Sequence, residues 1–403
     1  MKVALISCHS FFHPGGVKKH ILGLYKEYKK KNIETKIIIP RRNFSEDYGP
    51  DVILLGTSFP IDFVGGKADV VVNFDPIAIE ETLRDEKFDV LHFHNLSFPS
   101  AVQFFTSPST SNTLNILTFH SNIKGSNFLN RFKIVIDLIN RICQWKIDGI
   151  IGVSPVALGA FKKYKGQKTI IPNGIDLEEF NPKVPKLKKF LDDKINILFV
   201  GRIEKRKGLI YLLRAFNILQ KKFSNLRLIV VGEGELKKEC QDYVTKNNLK
   251  EICFEGEKSG KVVTSYFNTC DIFCSPAIFG ESFGIVLLEG MACGKPVVAF
   301  ANQGYRELLG KTRGKRFLVS PQNYKKLAQK LESLIKNERL RKEMGQWGIE
   351  EVKKYAWPRV AERVLDFYQF CQQRKKKREE KRKLHVDKIL SKFYNKNIED
   401  LFK

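Results

Sequence analysis

Short apolar runs of strand length alternate along the chain with longer segments whose apolar residues recur every three or four positions. This alternation signals parallel α/β architecture. In the first half the predicted strands are 3–7, 35–39, 52–55, 70–73, 90–94, 116–119, 149–153 and 169–171, with helical periodicity at 17–30, 130–145 and 155–164. A lysine- and proline-bearing stretch, 181–189, carries no apolar period and reads as a linker. Strands at 195–200, 226–231, 252–254, 272–275 and 297–300 then alternate with helices near 209–222, 236–246, 283–293 and 324–335. In the first of these helices Leu209, Leu212, Leu213, Phe216 and Leu219 follow i, i+3, i+4 spacing, so one face is buried. Two doubly wound domains joined by a hinge set their strand carboxyl ends across a cleft, the edge where open α/β sheets bind ligands.

Composition bounds this picture. A length of 403 residues suits two or three domains, and 43% apolar content with 31 Phe supplies real cores and excludes wholesale disorder. The formal net charge of +26 points to an acidic partner, either nucleic acid or an anionic membrane. Residues 374–403 hold 12 Lys and Arg against 5 Asp and Glu, and the run 374–383 is expected to be too charged to pack. The eight cysteines form no Cys-x-x-Cys pair and mostly sit in apolar runs, as reduced thiols of a cytoplasmic protein do. His92-x-His94, which alternation places on one strand face, could in principle hold a metal, but the histidines do not pair with cysteines at metal-ligand spacing. The first eight residues read as a strand rather than a signal peptide, and no run approaches the ~20 apolar residues of a membrane span.

The strongest candidate chemistry lies at 280–299. A strand ends in a loop with Glu281, a helix is expected to begin near Ser282 or Phe283, and Glu289 lies within that otherwise apolar helix. At 1.5 Å per residue the two carboxylates are about 12 Å apart, roughly the span from the sugar to the ribose of a sugar nucleotide. Amides of Ser282, Phe283 and Gly284 at the helix start suit a diphosphate, and Gly284 permits close approach. Glu289 is costly to bury without hydrogen-bond donors, which ribose hydroxyls supply; a capping or merely buried glutamate pair is the plain alternative. After the strand 195–200 come Gly201, Arg202, Lys207 and Gly208, a turn whose Arg and Lys suit a diphosphate leaving group. Lys205 and Arg206 fit a solvated surface turn. In the first half, Gly15 and Gly16 at a helix start let backbone approach a phosphate or sugar, and a simple tight turn explains them equally well. His120 ends a predicted strand on the cleft edge. Asn173-Gly174 reads as a turn closing the first domain.

Taken together, Pro-Gly-Gly-Val at 14–17, Thr-Phe-His-Ser at 118–121, Ile-Pro-Asn-Gly-Ile-Asp at 171–176, Gly-Arg-x4-Lys-Gly at 201–208, Val-Gly-Glu-Gly at 231–234 and Glu-x7-Glu at 281–289 resemble the family 4 retaining glycosyltransferases of the GT-B fold. Within that family the blocks are most similar to the phosphatidylinositol mannosyltransferase branch. The resemblance covers residues 1 to about 370 and implies two Rossmann-like domains facing across a cleft. Residues 1–185 would bind acceptor and 186–357 the nucleotide-sugar donor, with a crossing helix at 358–373 and a basic tail at 374–403. It further implies that Arg202 and Lys207 neutralise the departing diphosphate, and that Glu281 with the amides of Phe283 and Gly284 holds the donor sugar. Glu289 would bind ribose and His120 would contact the sugar near the reacting carbon. No metal and no cofactor beyond the donor substrate are implied, and retention would proceed by same-face attack assisted by the leaving phosphate. Lys18-Lys19 departs from the family, where an acidic residue often follows Gly-Gly-Val.

The expected function is therefore hexosyl transfer from GDP-mannose or a UDP-sugar to a lipid-linked or polysaccharide acceptor. Lys26, Lys29, Lys30 and Lys31 with Arg131, Lys133, Arg141 and Lys146 are expected to meet an anionic membrane on its cytoplasmic side. Epimerisation of a sugar nucleotide is the second enzymatic reading, opposed by the combination of Gly-Arg-x4-Lys-Gly with Glu-x7-Glu. A nucleic-acid-binding protein is the reading of a different class. It lacks RNP aromatics, zinc-finger spacing and a helix-turn-helix signature, so no nucleic-acid partner is expected.

Overall fold

Strands apolar on both faces pair into two parallel sheets, each covered by helices. The computed structural model describes every residue except 13–14, 44, 64–65, 97–99, 122–132 and 402–403. Side chains are described except at those positions and at 60–63, 66–69, 76, 133–135, 382 and 386–401. Pro14 and Arg131, and the Lys133 side chain, thus lie outside the described residues.

The first sheet comprises β1 (Lys2–Ser7), β2 (Glu34–Arg41), β3 (Val52–Phe63), β4 (Gly66–Val72), β5 (Val90–His94), β6 (Leu114–Phe119), β7 (Gly149–Gly152) and β8 (Gln167–Ile170). Its spatial order is β4-β3-β2-β1-β5-β6-β7-β8, with parallel pairing except between β3 and β4. Around it lie α1 (Gly16–Lys30), α2 (Pro76–Glu86), α3 (Ser100–Thr106), α4 (Lys133–Lys146) and the short α5 (Pro155–Leu158). The second sheet comprises β9 (Ile195–Val200), β10 (Leu226–Val231), β11 (Ile252–Gly256), β12 (Ile272–Ser275), β13 (Val297–Phe300) and β14 (Leu318–Val319), all parallel, in the order β11-β10-β9-β12-β13-β14. Its helices are α6 (Leu209–Gln220), α7 (Lys237–Lys246), α8 (Lys261–Thr269), α9 (Ile285–Ala292), α10 (Gln303–Leu309), α11 (Tyr324–Ile335) and α12 (Glu338–Val352). The five apolar residues predicted to share one face of α6 are all buried.

Several expectations change. The stretch 52–73 is one long antiparallel hairpin at the sheet edge rather than two short strands, because edge strands need no continuous apolar run. Helix α2 was not anticipated, although its start is written as Asp75-Pro76: the Asp75 carboxylate accepts from the amides of Ile77 and Ala78. Helix α9 begins at Ile285, two or three residues later than expected, so Ser282 and Phe283 belong to the preceding turn.

The basic segment does not stand apart from the core. A single helix, α13 (Trp357–Leu401), carries both the crossing segment and the charged run. Lys375 and Arg378 pair with Asp148 at 3.1 and 3.0 Å, and Lys375 also donates to the Thr113 carbonyl. Three lysines of α1 are likewise committed internally: Lys26 to Asp176 and Glu178, Lys29 to Asp51, and Lys30 to Glu27. Carboxylates on the strap after β8, beside β3 and on α1 itself satisfy them, so they do not form the free membrane-facing row expected of them.

Helix α13 docks on the first domain through Trp357, which is buried between α1 and the strap after β8. A Cβ added at Gly23 would lie 2.1 Å from the Trp357 ring, and one at Gly174 2.3 Å from it. Gly23→Ala gains up to about 1 kcal/mol of helix propensity but introduces an overpacking cost of about 1–3 kcal/mol. A lower melting temperature is therefore expected, and an unchanged or higher one would contradict this docking.

Candidate active site

The turn after β9 holds its shape through glycine. Gly208 has φ 71°, and a Cβ there would sit 2.2 Å from the Pro276 carbonyl. This tight return brings the 3-10 turn Lys205–Lys207 against the loop after β12. Lys207 Nζ lies 2.7 Å from Glu281 Oε1, and Arg206 Nη1 lies 3.2 Å from the same oxygen. Arg206 Nε also pairs with the buried carboxylate of Glu204. Burial works against the Glu281 charge, but the Lys207 and Arg206 cations outweigh it and hold the carboxyl below its ordinary range. Arg206 therefore belongs to the site, against the expectation of a solvated turn. Arg202 stays half exposed, with Nη2 3.5 Å from Glu204.

Gly284 precedes α9 with φ 109°, and a Cβ there would meet the Tyr305 ring at 2.7 Å. Phe283 is a core side chain, edge-on to Tyr355 at 5.8 Å, so only its backbone can face a ligand. Ser282 is partly exposed in the same turn. Across the cleft, α1 starts opposite α9: a Cβ on Gly16 would stand 3.6 Å from Ile285 Cδ1, while one on Gly15 would meet nothing. Two helix N-termini thus converge, each presenting unpaired amides and a positive dipole end.

Glu289 is buried on α9 and is capped from the other domain by the ammonium of Lys19 on α1. Burial opposes the Lys19 charge, yet the Glu289 carboxylate raises its pKa overall. The departure noted at Lys18-Lys19 therefore has a physical partner, 270 residues away.

His120 follows β6 at the cleft edge within a cluster of imidazoles. Its backbone N–H donates to Asn95 Oδ1 at 2.8 Å, and its Nε2 lies 3.3 Å from His94 Nδ1. The His20 ring stands edge-on to it at 4.7 Å. Asn173, expected only to close a turn, holds His20 Nδ1 at 2.8 Å. His92 uses both nitrogens, Nδ1 with Tyr368 Oη and Nε2 with Thr118 Oγ1, each at 2.6 Å. It therefore keeps no lone pair for a metal. His20, His94 and His120 bring ring nitrogens within 4.8 Å of one another, without a carboxylate among them. Burial holds all four imidazoles neutral, with His20 pushed down to about 4 and the others well below 6.5. Lys19, His20, His94, Arg206, Asn173 and Tyr368 escaped the sequence reading. The His92-x-His94 alternation, the departure at Lys18-Lys19 and the motif holding Asn173 were noted, but none was given a site role.

Two family models divide the chain: Glycosyltransferase Family 4 over residues 14–179 and Glycosyl transferases group 1 over residues 180–351. The chain is a family 4 glycosyltransferase. The phosphatidyl-myo-inositol mannosyltransferase of Mycobacterium leprae is 30% identical over 380 residues, covering 92% of this chain and 96% of that one. The protein of the same name from Mycolicibacterium smegmatis is 29% identical over 383 residues, covering 92% and 94%. Among solved structures, sucrose-phosphate synthase from Thermosynechococcus elongatus superposes with a TM-score of 0.74 at 20% identity, covering 91% and 98% of the two chains. Anabaena HepE in complex with UDP and glucose gives 0.69 at 17%, covering 90% and 98%. The two Rossmann-like domains of this glycosyltransferase form the GT-B fold, as the resemblance implied.

The neutral imidazoles of this glycosyltransferase carry a stability consequence. In the unfolded chain each histidine binds a proton near pH 6.5, whereas the folded cluster resists protonation until lower pH. The unfolded state thus holds more protons in that window, and stability falls as pH drops through 6.5; for His20 the window extends to about 4. Each such histidine contributes up to about 1.4 kcal/mol per pH unit. Melting temperature is expected to fall steeply from pH 7 to pH 5, with a shallower fall in His92→Asn; a flat wild-type profile would refute neutral burial.

Proposed function

We propose that this glycosyltransferase moves a hexosyl group from a nucleotide-diphosphate sugar, GDP-mannose or a UDP-sugar, to a lipid-linked or polysaccharide acceptor with retention and without a metal. An inositol phospholipid is the acceptor best supported, since the mycobacterial relatives carry that substrate in their names. The observation that carries the reading is the convergence of Lys207 and Arg206 on Glu281 beside two opposed helix N-termini. Such a site offers fixed positive charge and free amides where a diphosphate gathers negative charge as it leaves.

In this reading Arg202 and Lys207 neutralise the departing diphosphate. Gly201 keeps the turn beneath it open, and the amides at Gly15 and Gly16 face it from the opposite domain. Glu281, with the backbone of Ser282, Phe283 and Gly284, accepts and donates hydrogen bonds to the donor sugar. Glu289 takes the ribose hydroxyls, which displace the Lys19 ammonium from the carboxylate. His120 contacts the sugar near the reacting carbon. The acceptor hydroxyl attacks on the face that the leaving phosphate vacates, and a phosphate oxygen takes its proton.

Lys207→Ala and Glu281→Ala are each expected to lower kcat by about a hundredfold or more, the scale for losing a fixed charge-stabilising contact. Unchanged circular dichroism would show that the fold survives. Wild-type rates in both variants would sink the proposal, and product analysis with one labelled donor separates transfer from epimerisation.

Peripheral contact with the inner face of an anionic membrane is part of the proposal. Among the described residues no helix is long and apolar enough to cross a membrane. The supporting surface is α4 rather than α1. Leu138 and Arg141 are exposed there, Trp145 is 82% exposed, and Lys146 Nζ stands 5.1 Å above the Trp145 ring. Beside it, Asp148 anchors the charged stretch of α13 through Lys375 and Arg378. An interfacial tryptophan flanked by cations suits an anionic bilayer at about 1 kcal/mol per basic residue. Vesicles containing phosphatidylinositol are expected to blue-shift tryptophan emission and to co-sediment the protein, with both effects weakened in Trp145→Ala. Equal binding to neutral phosphatidylcholine vesicles would contradict this contact.

A further inference from the structure

We propose that His94 is a positioning residue that fixes the tautomer of His120, so that His120 presents a protonated Nδ1 to the sugar in the cleft. The inference rests on the reading of His120 as a sugar contact and adds its chemical form.

Tyr28 Oη donates to Tyr368 Oη at 3.1 Å, so the Tyr368 proton is free to be donated onward. Its neighbour at 2.6 Å is His92 Nδ1, which therefore accepts. His92 is neutral, so its single proton sits on Nε2 and is donated to Thr118 Oγ1. His92 and His94 lie tilted to one another with ring centroids 4.3 Å apart and exchange no hydrogen bond. His94 must then settle its proton separately.

Among the described residues His94 Nε2 is buried and meets no hydrogen-bond partner, and only Nδ1 has one, His120 Nε2 at 3.3 Å. A buried N–H without an acceptor is a rarer and costlier defect than an unfilled lone pair. The His94 proton therefore sits on Nδ1 and is donated to His120 Nε2. His120, also neutral, accepts there and must carry its own proton on Nδ1. The backbone of His120 is pinned by Asn95, whose own N–H donates to the Thr118 carbonyl at 2.9 Å. The edge-on ring of His20 limits rotation of the imidazole. The Asn173 side chain that holds His20 Nδ1 also hydrogen-bonds the His120 ring, so a sugar oxygen shares or replaces that partner. The outcome is a neutral ring of fixed orientation that donates from Nδ1 rather than accepting there.

The test uses the full chain in three arms. First, in the wild-type protein labelled with 15N-histidine, ring nitrogen shifts should report His120 protonated at Nδ1; a protonated Nε2 with bare Nδ1 overturns the inference even if no variant folds. Second, His94→Leu should lower kcat by about tenfold to a hundredfold while leaving nucleoside diphosphate affinity unchanged, the scale of losing a partner that orients a functional imidazole. His94→Asn, whose amide nitrogen can reach the place of Nδ1–H, should recover to within about threefold of wild type. Equal loss in both variants, or no loss in His94→Leu, overturns it. Third, His120→Ala separates the two levels. An inactive His120→Ala with a fully active His94→Leu removes this inference alone, whereas a fully active His120→Ala removes the sugar-contact reading beneath it.

Discussion

The return of α13 to the first domain is the contact on which the cleft depends. Trp357 enters a slot that exists because Gly23 and Gly174 carry no side chain, and its ring meets His20 edge-on at 5.2 Å. The chain on either side is stitched to the strap after β8: the Ile175 N–H donates to the Tyr355 carbonyl at 2.8 Å, and Trp357 N–H to the Ile175 carbonyl at 3.3 Å. A hinged pair of sheets has many relative placements available to it. This junction removes most of them, and the start of α1 comes to face the start of α9.

Charge is distributed according to that placement. A net charge of +26 suggests a broadly repulsive surface, yet its cations serve distinct ends. Lys26, Lys29 and Lys30 tie α1 to neighbouring carboxylates, and Lys375 and Arg378 tie α13 to Asp148. Lys207, Arg206 and Lys19 face the two glutamates of the Glu-x7-Glu block. An unpaired buried carboxylate is costly, whereas one with a cation beside it stays ionised. The cations beside Glu281 thus hold its carboxyl below the ordinary range despite burial. The histidine cluster follows the opposite rule: four imidazoles packed together are kept neutral by burial.

Much of this organisation was legible in the chain. The strands of both sheets, apart from the edge hairpin and β14, were expected at nearly their observed positions, because strands buried on both faces must be apolar throughout. Glu281, Lys207 and Gly208 stood out because they lie in turns whose backbone requires glycine, and Glu289 because a carboxylate interrupts an otherwise apolar helix. Helix α2 was missed although its Asp-Pro cap was present, since it lacks a clear apolar stripe. Arg206 was misjudged because a basic residue in a turn looks the same in sequence whether it faces water or a carboxylate.

Hydrophobic period and turn chemistry by themselves determined that this protein would have two α/β domains, and where each would bend backbone toward a ligand. They did not determine what faces what. The Lys19–Glu289 pair spans the two domains, the His92–Tyr368 bond joins a strand to the crossing helix, and Asn173 reaches His20 from a strap that reads locally as a turn. Those contacts depend on how α13 folds back across the first sheet. A pattern of period two or three to four reports which face of an element is buried; only the docking of whole elements decides which polar group is buried against it.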